Sequence, residues 1–164
     1  MASYKERRKD IRDGDLLFFR ETGPSAWLIK VATRGVYAHC GVAVRIYGRL
    51  MILESRPLQG VTMRRLSQFL PVDWVATGCE WTEDMGRAAL EHFQEPYSWS
   101  AALDLVTHVK PAAKARVCSL YASDVLAPWL AKYGTVLDRT DLTPTHLHDV
   151  FANDRTGRAT VTLE

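Results

Sequence analysis

Cysteine is scarce in this chain: Cys40, Cys79 and Cys118 are the only three, an odd number at wide spacing, which excludes a disulfide framework. They read as free thiols of a reducing compartment. No apolar run approaches the ~18 to 20 residues that a membrane span requires. The opening Met-Ala-Ser-Tyr-Lys-Glu-Arg-Arg also lacks the apolar stretch that follows the basic end of a signal peptide. No integral membrane association is expected, and the chain reads as cytoplasmic at synthesis. An excess of one charge is missing too. Twenty-one basic residues against 19 acidic ones leave +2, far from the concentrated positive field that nucleic-acid binding needs.

What is present suffices for one folded unit. A chain of 164 residues buries roughly two-thirds of its unfolded surface without disulfide or metal staples. No low-complexity linker, internal repeat or composition break divides it. A single domain over 1–164 is expected, with its core at about 13–152. Lys5, Arg7, Arg8, Lys9 and Arg12 are interleaved with Glu6, Asp10 and Asp13, so residues 1–12 read as a solvated, flexible terminus without function.

The first half is strand-rich. Asp15 to Arg20 is a short apolar strand entered through the turn pair Asp13-Gly14, and Ser25 to Arg34 reads as a helix with Ser25 as its N-cap. Cys40 to Ile46 and Leu50 to Ser55 flank Tyr47-Gly48 as a hairpin. Gly60 to Arg64 and Trp74 to Trp81 are weaker strand candidates, with a turn or short helix near Leu66 to Leu70. From Thr82 the period becomes helical. Helices are expected from Thr82 to before Pro96, over Ser98 to Val109, from Cys118 to Tyr133 with Pro128 as a kink point, and from Thr143 to Phe151. A strand candidate, Arg158 to Leu163, closes the chain. Strands and helices segregated in this way indicate α+β.

Three places join an ionisable group to an orienting element. In Arg116-Val117-Cys118-Ser119 a cysteine opens an apolar helix, where unpaired backbone N–H groups and the helix dipole favour a thiolate and could hold a developing oxyanion. In Tyr37-Ala38-His39-Cys40-Gly41 a histidine stands at the mouth of an otherwise apolar strand. In Leu53-Glu54-Ser55 a carboxylate ends an apolar run. Taken singly, Cys118 also reads as a small core residue, His39 as a hydrogen-bonded structural residue and Glu54 as a solvated strand end. Joint geometry separates the readings. A two-residue loop at Tyr47-Gly48 pairs Ile46 with Arg49 and Gly41 with Glu54, which puts Glu54 on the face of His39, one diagonal step away.

These residues resemble the permuted papain-like proteins related to NlpC-type peptidoglycan peptidases, the YiiX-like group. Asp13-Gly14-Asp15-Leu16-Leu17-Phe18 is similar to the group's Gly-Asp-hydrophobic strand. Tyr37-Ala38-His39-Cys40-Gly41-Val42 resembles its Tyr-Ser-His-Val-Gly-Ile motif, Leu53-Glu54-Ser55 its acidic strand and Val117-Cys118-Ser119 its Cys-Ser helix start. Pro96-Tyr97 and Leu142-Thr143-Pro144 match weakly. The order, His first and Cys last, is the permuted one. The resemblance spans roughly residues 13 to 150 and implies a small antiparallel barrel-like sheet packed on helices. It also implies Cys118 as nucleophile, His39 as general base and acid, and Glu54 as the third member. Tyr97, Trp99 and Ser119 would line the substrate cleft. The chain departs from the pattern at Ser98, Glu95 and Leu120-Tyr121.

The expected function is a cysteine hydrolase that cleaves an amide bond through an acyl-enzyme, with a peptide or peptidoglycan fragment as substrate and no cofactor. Without a signal, such an enzyme would act on recycled fragments, or be delivered by a phage particle or a dedicated exporter. The alternatives are a thioesterase, acyltransferase or protein-directed amidase with the same residues, and a non-catalytic binding module on the same fold. A zinc site from His39, Cys40, Cys79 and Cys118 is disfavoured, because neighbouring strand residues point to opposite faces. His92, His108, His146 and His148 read as surface or core residues.

Overall fold

The computed structural model describes residues 2–23, 26, 30, 31, 33, 35–107, 117–140, 142–152 and 160–164. The elements, in chain order, are α1 (Tyr4–Arg7), β1 (Leu16–Phe19), β2 (His39–Ile46), β3 (Arg49–Arg56), β4 (Gly60–Arg65), β5 (Val72–Val75), α2 (Glu83–Glu91), α3 (Trp99–Val106), α4 (Cys118–Ala131), α5 (Pro144–Ala152) and β6 (Val161–Leu163). The six strands form one antiparallel sheet in the order β4-β3-β2-β1-β5-β6. The helix expected over Ser25–Arg34 lies largely outside the described residues, among which Ala26, Lys30, Val31 and Thr33 are helical.

Alternation along the strands creates two cores. Leu16, Phe18, Cys40, Val42, Val44 and Leu53 face the helices and pack with Met85 of α2, with Leu120, Tyr121, Val125 and Leu126 of α4, and with Leu147 and Phe151 of α5. Leu17, Phe19, Ala43, Leu50, Ile52 and Trp74 face the other way and are closed over by Tyr4, Ile11, Leu66 and Leu163. Helix α4 is buried over most of its circumference, between the sheet and α2, where the Tyr121 hydroxyl donates to the Ala89 carbonyl at 2.9 Å. That position explains why its apolar residues do not form a single stripe. The helix runs on through Pro128.

The β2–β3 hairpin has the expected register. Ile46 pairs with Arg49 and Val42 with Leu53 across the loop Tyr47-Gly48, whose φ angles of 47° and 75° are those of a type I′ turn. Close approach of β3 requires Gly41, because a Cβ there would sit 2.6 Å from Ile52 Cγ1 and from the Leu53 carbonyl oxygen. Thr82 caps α2 by accepting the Met85 N–H, and Ser98 caps α3 by accepting that of Ala101.

Two expectations change. The strand placed at Trp74–Trp81 is β5 at Val72–Val75, because the chain leaves the sheet at Thr77, whose N–H and hydroxyl bond to Asp15 Oδ1 and the Gly14 carbonyl. The amino-terminal segment is tied down instead of loose. Ala2 bridges to Leu163, Tyr4 N–H donates to the Glu164 carbonyl at 2.7 Å, and the Tyr4 ring is buried in the second core. An apolar ring spaced among the charges was enough to anchor it.

Candidate active site

The site forms where the start of β2 meets the start of α4. Cys118 is the first residue of α4, and Val117, the residue before it, offers no side-chain cap, so the first-turn N–H groups are left for another acceptor. His39 opens β2 and is 4% exposed; Glu54, near the end of β3, is 1% exposed. The hairpin register puts both on one face, and His39 Nε2 meets Glu54 Oε2 at 2.5 Å. That contact commits Nε2 to the carboxylate and leaves Nδ1 as the nitrogen available to the thiol. The Phe19 ring packs at 5.6 Å from the imidazole, centroid to centroid, and walls it on the β1 side.

The charges are mutually dependent. Burial alone would push the imidazole towards its neutral form, but hydrogen bonding to Cys118 and Glu54 outweighs it and raises His39 to about 9. The Cys118 thiol is held well below an ordinary thiol, first by a hydrogen bond from Cys40 and, against the effect of burial, by His39. Cys40 is pushed up, by burial first and then by the charges of Cys118 and Glu54. Burial likewise acts to raise Glu54, yet its bonds to His39 and Arg64 keep it below the usual carboxylate range. All three shifts run in the direction of a thiolate–imidazolium pair backed by an ionised carboxylate.

Cys40 and Arg64 were not anticipated. Strand alternation argues against a metal shared by His39 and Cys40, yet both reach the Cys118 thiol, because the helix N-terminus meets the strand at its first two residues. Arg64 donates from Nε to Glu54 Oε1 at 2.6 Å. Its position was recoverable from the β3–β4 pairing, in which Glu54 opposes Thr62 and Arg64 follows on the same face.

The remaining candidates are scattered in exposure. Tyr97 is half-buried beside the thiols, and its hydroxyl is pushed up by burial and by Cys118 and Cys40. Trp99 stacks on Tyr97 edge to face at 5.2 Å and is 58% exposed, on the outer side. Ser119 is fully buried, and its hydroxyl has no partner among the described residues. Cys79 belongs elsewhere, its Sγ lying 3.7 Å from the Asp13 carbonyl. His92 contacts Glu95, and His148 contacts Asp149 and Thr160 while stacking with Phe18 and Tyr37. His108 lies outside the described residues.

No family model matches the chain, and no curated protein matches it either. Among solved structures it is similar to YiiX from Escherichia coli O157:H7, which is described as a metalloprotein. The TM-score is 0.60 at 18% identity, over 93% of this chain and 88% of that one. The chain therefore has the fold of YiiX, a papain-like α+β arrangement in which an antiparallel sheet packs against helices.

Proposed function

We propose that the protein is a cysteine hydrolase that cleaves an amide bond, with Cys118 as nucleophile, His39 as general acid and base, and Glu54 as the group that orients and charges the imidazole. One observation carries this reading: a thiol at a helix N-terminus, an imidazole and a buried carboxylate are joined in series, with the thiol driven towards thiolate and the imidazole towards imidazolium. A structural cluster has no need of this polarity.

In the proposed cycle the Cys118 thiolate attacks the carbonyl carbon, and the oxygen takes the negative charge against the first-turn N–H groups of α4. His39 gives its proton to the amide nitrogen as the C–N bond breaks, which frees the amine and leaves a thioester on Cys118. His39, now neutral, takes a proton from water. The hydroxide adds to the thioester, and the acid product departs as the thiolate re-forms. Tyr97 walls the cleft beside the thiol, and Trp99 extends that wall outward. A peptide or peptidoglycan fragment is the substrate class favoured by the sequence motifs.

YiiX is described as a metalloprotein, which raises the question of metal ligands at this site. Among the described residues no three His, Cys, Asp or Glu side chains converge on a common point, and His39 Nε2 is engaged by Glu54. The donor set does not fit a metal centre.

The direct test is mass-spectrometric trapping of an acyl-enzyme after incubation with peptides, cell-wall digests and lipids. Mass added to Cys118 from a peptide or cell-wall fragment is the expected result, absent in Cys118→Ala. An adduct from lipids alone would point to the acyltransferase or thioesterase class, and absence of any adduct under all three conditions would sink the hydrolase reading.

A further inference from the structure

Glu54 is not held by His39 alone. Its Oε1 accepts the Arg64 Nε–H at 2.6 Å, and the central carbon of the Arg64 guanidinium stands over the Phe69 ring, 3.7 Å from its centroid. The ring contact and the hydrogen bond together restrain the guanidinium, leaving the carboxylate one orientation in which Oε2 faces the imidazole. A second cation stands further off. Arg56 Nη1 is 3.7 Å from Glu54 Oε2, while its Nη2 is engaged by Glu21 at 2.7 Å.

A cross-link between β3 and β4 does not account for Arg64, since the backbone ladder already joins those strands from Met51–Arg65 to Arg56–Gly60. The side chain also carries a cost. Its Nη2 is buried without an acceptor among the described residues, a penalty that an apolar residue at this position would avoid. What an apolar residue could not do is hold Glu54 ionised and aimed.

We propose that Arg64 is a positioning residue: clamped on Phe69, it fixes the Glu54 carboxylate against His39 and so sustains the reactive state of Cys118. The proposal rests on the cysteine-hydrolase reading. The groups that face Glu54 are His39 from β2, Arg56 from its own strand and Arg64 from β4. Glu21, after β1, acts through Arg56, and Cys118 and Cys40 act through the imidazole.

The consequence appears in how Cys118 reactivity depends on pH. Without the Arg64 cation, Glu54 takes up a proton at higher pH, the imidazolium loses its support, and the thiolate forms later on the pH scale. The experiment is the rate of Cys118 alkylation by iodoacetamide from pH 4 to 9, resolved by residue in the mass spectrometer, which needs no knowledge of the substrate. Arg64→Gln is expected to move the acid limb upward by about half a pH unit or more. Arg56→Gln, the control with its charge shared by Glu21, should move it by less than half as much. Equal shifts from the two variants, or a profile for folded Arg64→Gln that superimposes on the parent, would overturn the proposal and leave the nucleophile assignment standing. A parent protein in which Cys118 is no more reactive than Cys79 would instead sink both. If Arg64→Gln does not fold, Arg64→Lys carries the test. It keeps the charge but loses the Nε donor and the guanidinium contact with the ring, so the plateau rate should fall several-fold with the limb in place. A parent-like plateau would overturn the proposal.

Discussion

Two buried carboxylates on opposite faces of the sheet are each bonded by an arginine yet keep different company. Asp73 of β5 is 2% exposed and Glu54 of β3 is 1% exposed. Each is bonded by an arginine, Asp73 by Arg20 Nε at 2.9 Å and Glu54 by Arg64 Nε at 2.6 Å. Each is driven below the usual carboxylate range by its hydrogen bonds, against the effect of burial. The rest of their company differs. Asp73 also accepts the Tyr37 hydroxyl at 2.7 Å and the Thr162 hydroxyl at 2.5 Å, donors that keep their protons at neutral pH, with Tyr37 pushed up to about 12, first by burial. Its four-way junction ties β1, β5, β6 and the segment before β2 together. Glu54 instead meets an imidazole that in turn meets a thiol. A buried, ionised carboxylate is thus no mark of catalysis by itself. In the proposed reading, the partner's ability to exchange a proton makes the difference.

The comparison breaks most visibly at the imidazole. His39→Ala is expected to lower turnover, or Cys118 alkylation at pH 6 to 7, by about 10² to 10⁴. Tyr37→Phe, the corresponding deletion at Asp73, should leave both rates within about two-fold while lowering stability by about 1 kcal/mol. Comparable rate losses in the two variants would show that Asp73 shares in the chemistry.

Exchange of the carboxylates themselves comes next. Glu54→Gln should slow turnover by about ten-fold, less than loss of the base, because the amide still accepts a hydrogen bond from the ring. It should also move the basic limb, where His39 loses its proton, below its parent position near 9, since a neutral amide no longer stabilises the imidazolium. Asp73→Asn should leave the pH–rate profile intact and cost about 1 to 3 kcal/mol of stability at pH 7. Because the folded-state pKa of Asp73 is lowered, its contribution is present above the ordinary carboxylate value and disappears as pH falls through the folded value. Thermal melts of parent and Asp73→Asn should therefore converge as the pH falls below the ordinary carboxylate value of about 4. A gap unchanged through that fall would mean that shape, not charge, carries the contribution of Asp73.

The smallest expected effect is at Cys40. Cys40→Ala removes the S–H that supports the Cys118 thiolate without overpacking the core position, so alkylation of Cys118 at pH 6 should slow by about two- to five-fold. In the parent, Cys118 should still be labelled before Cys40 and Cys79. Labelling of Cys40 first would reverse the roles assigned to the two thiols.

Much of this site could be read along the chain because its parts are local. Tyr47-Gly48 sets a two-residue turn, the turn sets the β2–β3 register, and the register puts His39 and Glu54 on one face by parity alone. Cys118 was legible for a similar reason: an apolar, helix-forming run begins at it, and a helix N-terminus has a known polarity. Parity failed at Cys40, where the approach of α4 matters more than alternation within the strand. It also failed to fix the length of β5, which ends where Asp15 captures Thr77. Asp15 itself accepts from Arg12 N–H, Trp74 Nε1 and Thr77 N–H, so the Gly14-Asp15 pair marks a buried structural junction.

What the sequence determined by itself, then, is the set of short-range relations: which runs form strands and helices, where Thr82 and Ser98 cap, how one hairpin is registered, and which thiol stands at a helix start. Each depends on backbone sterics and hydrogen bonding over a few residues, and those rules act before any packing. Only the tertiary structure decided that Cys118, 79 residues beyond His39 in the numbering, arrives beside it, that Cys40 arrives with it, and that Arg64 stands over Phe69 behind Glu54. Those contacts follow from burying α4 against β2 and β3 and from closing the second core with the segment after β4. They depend on how apolar faces of distant elements fit, which no local pattern encodes.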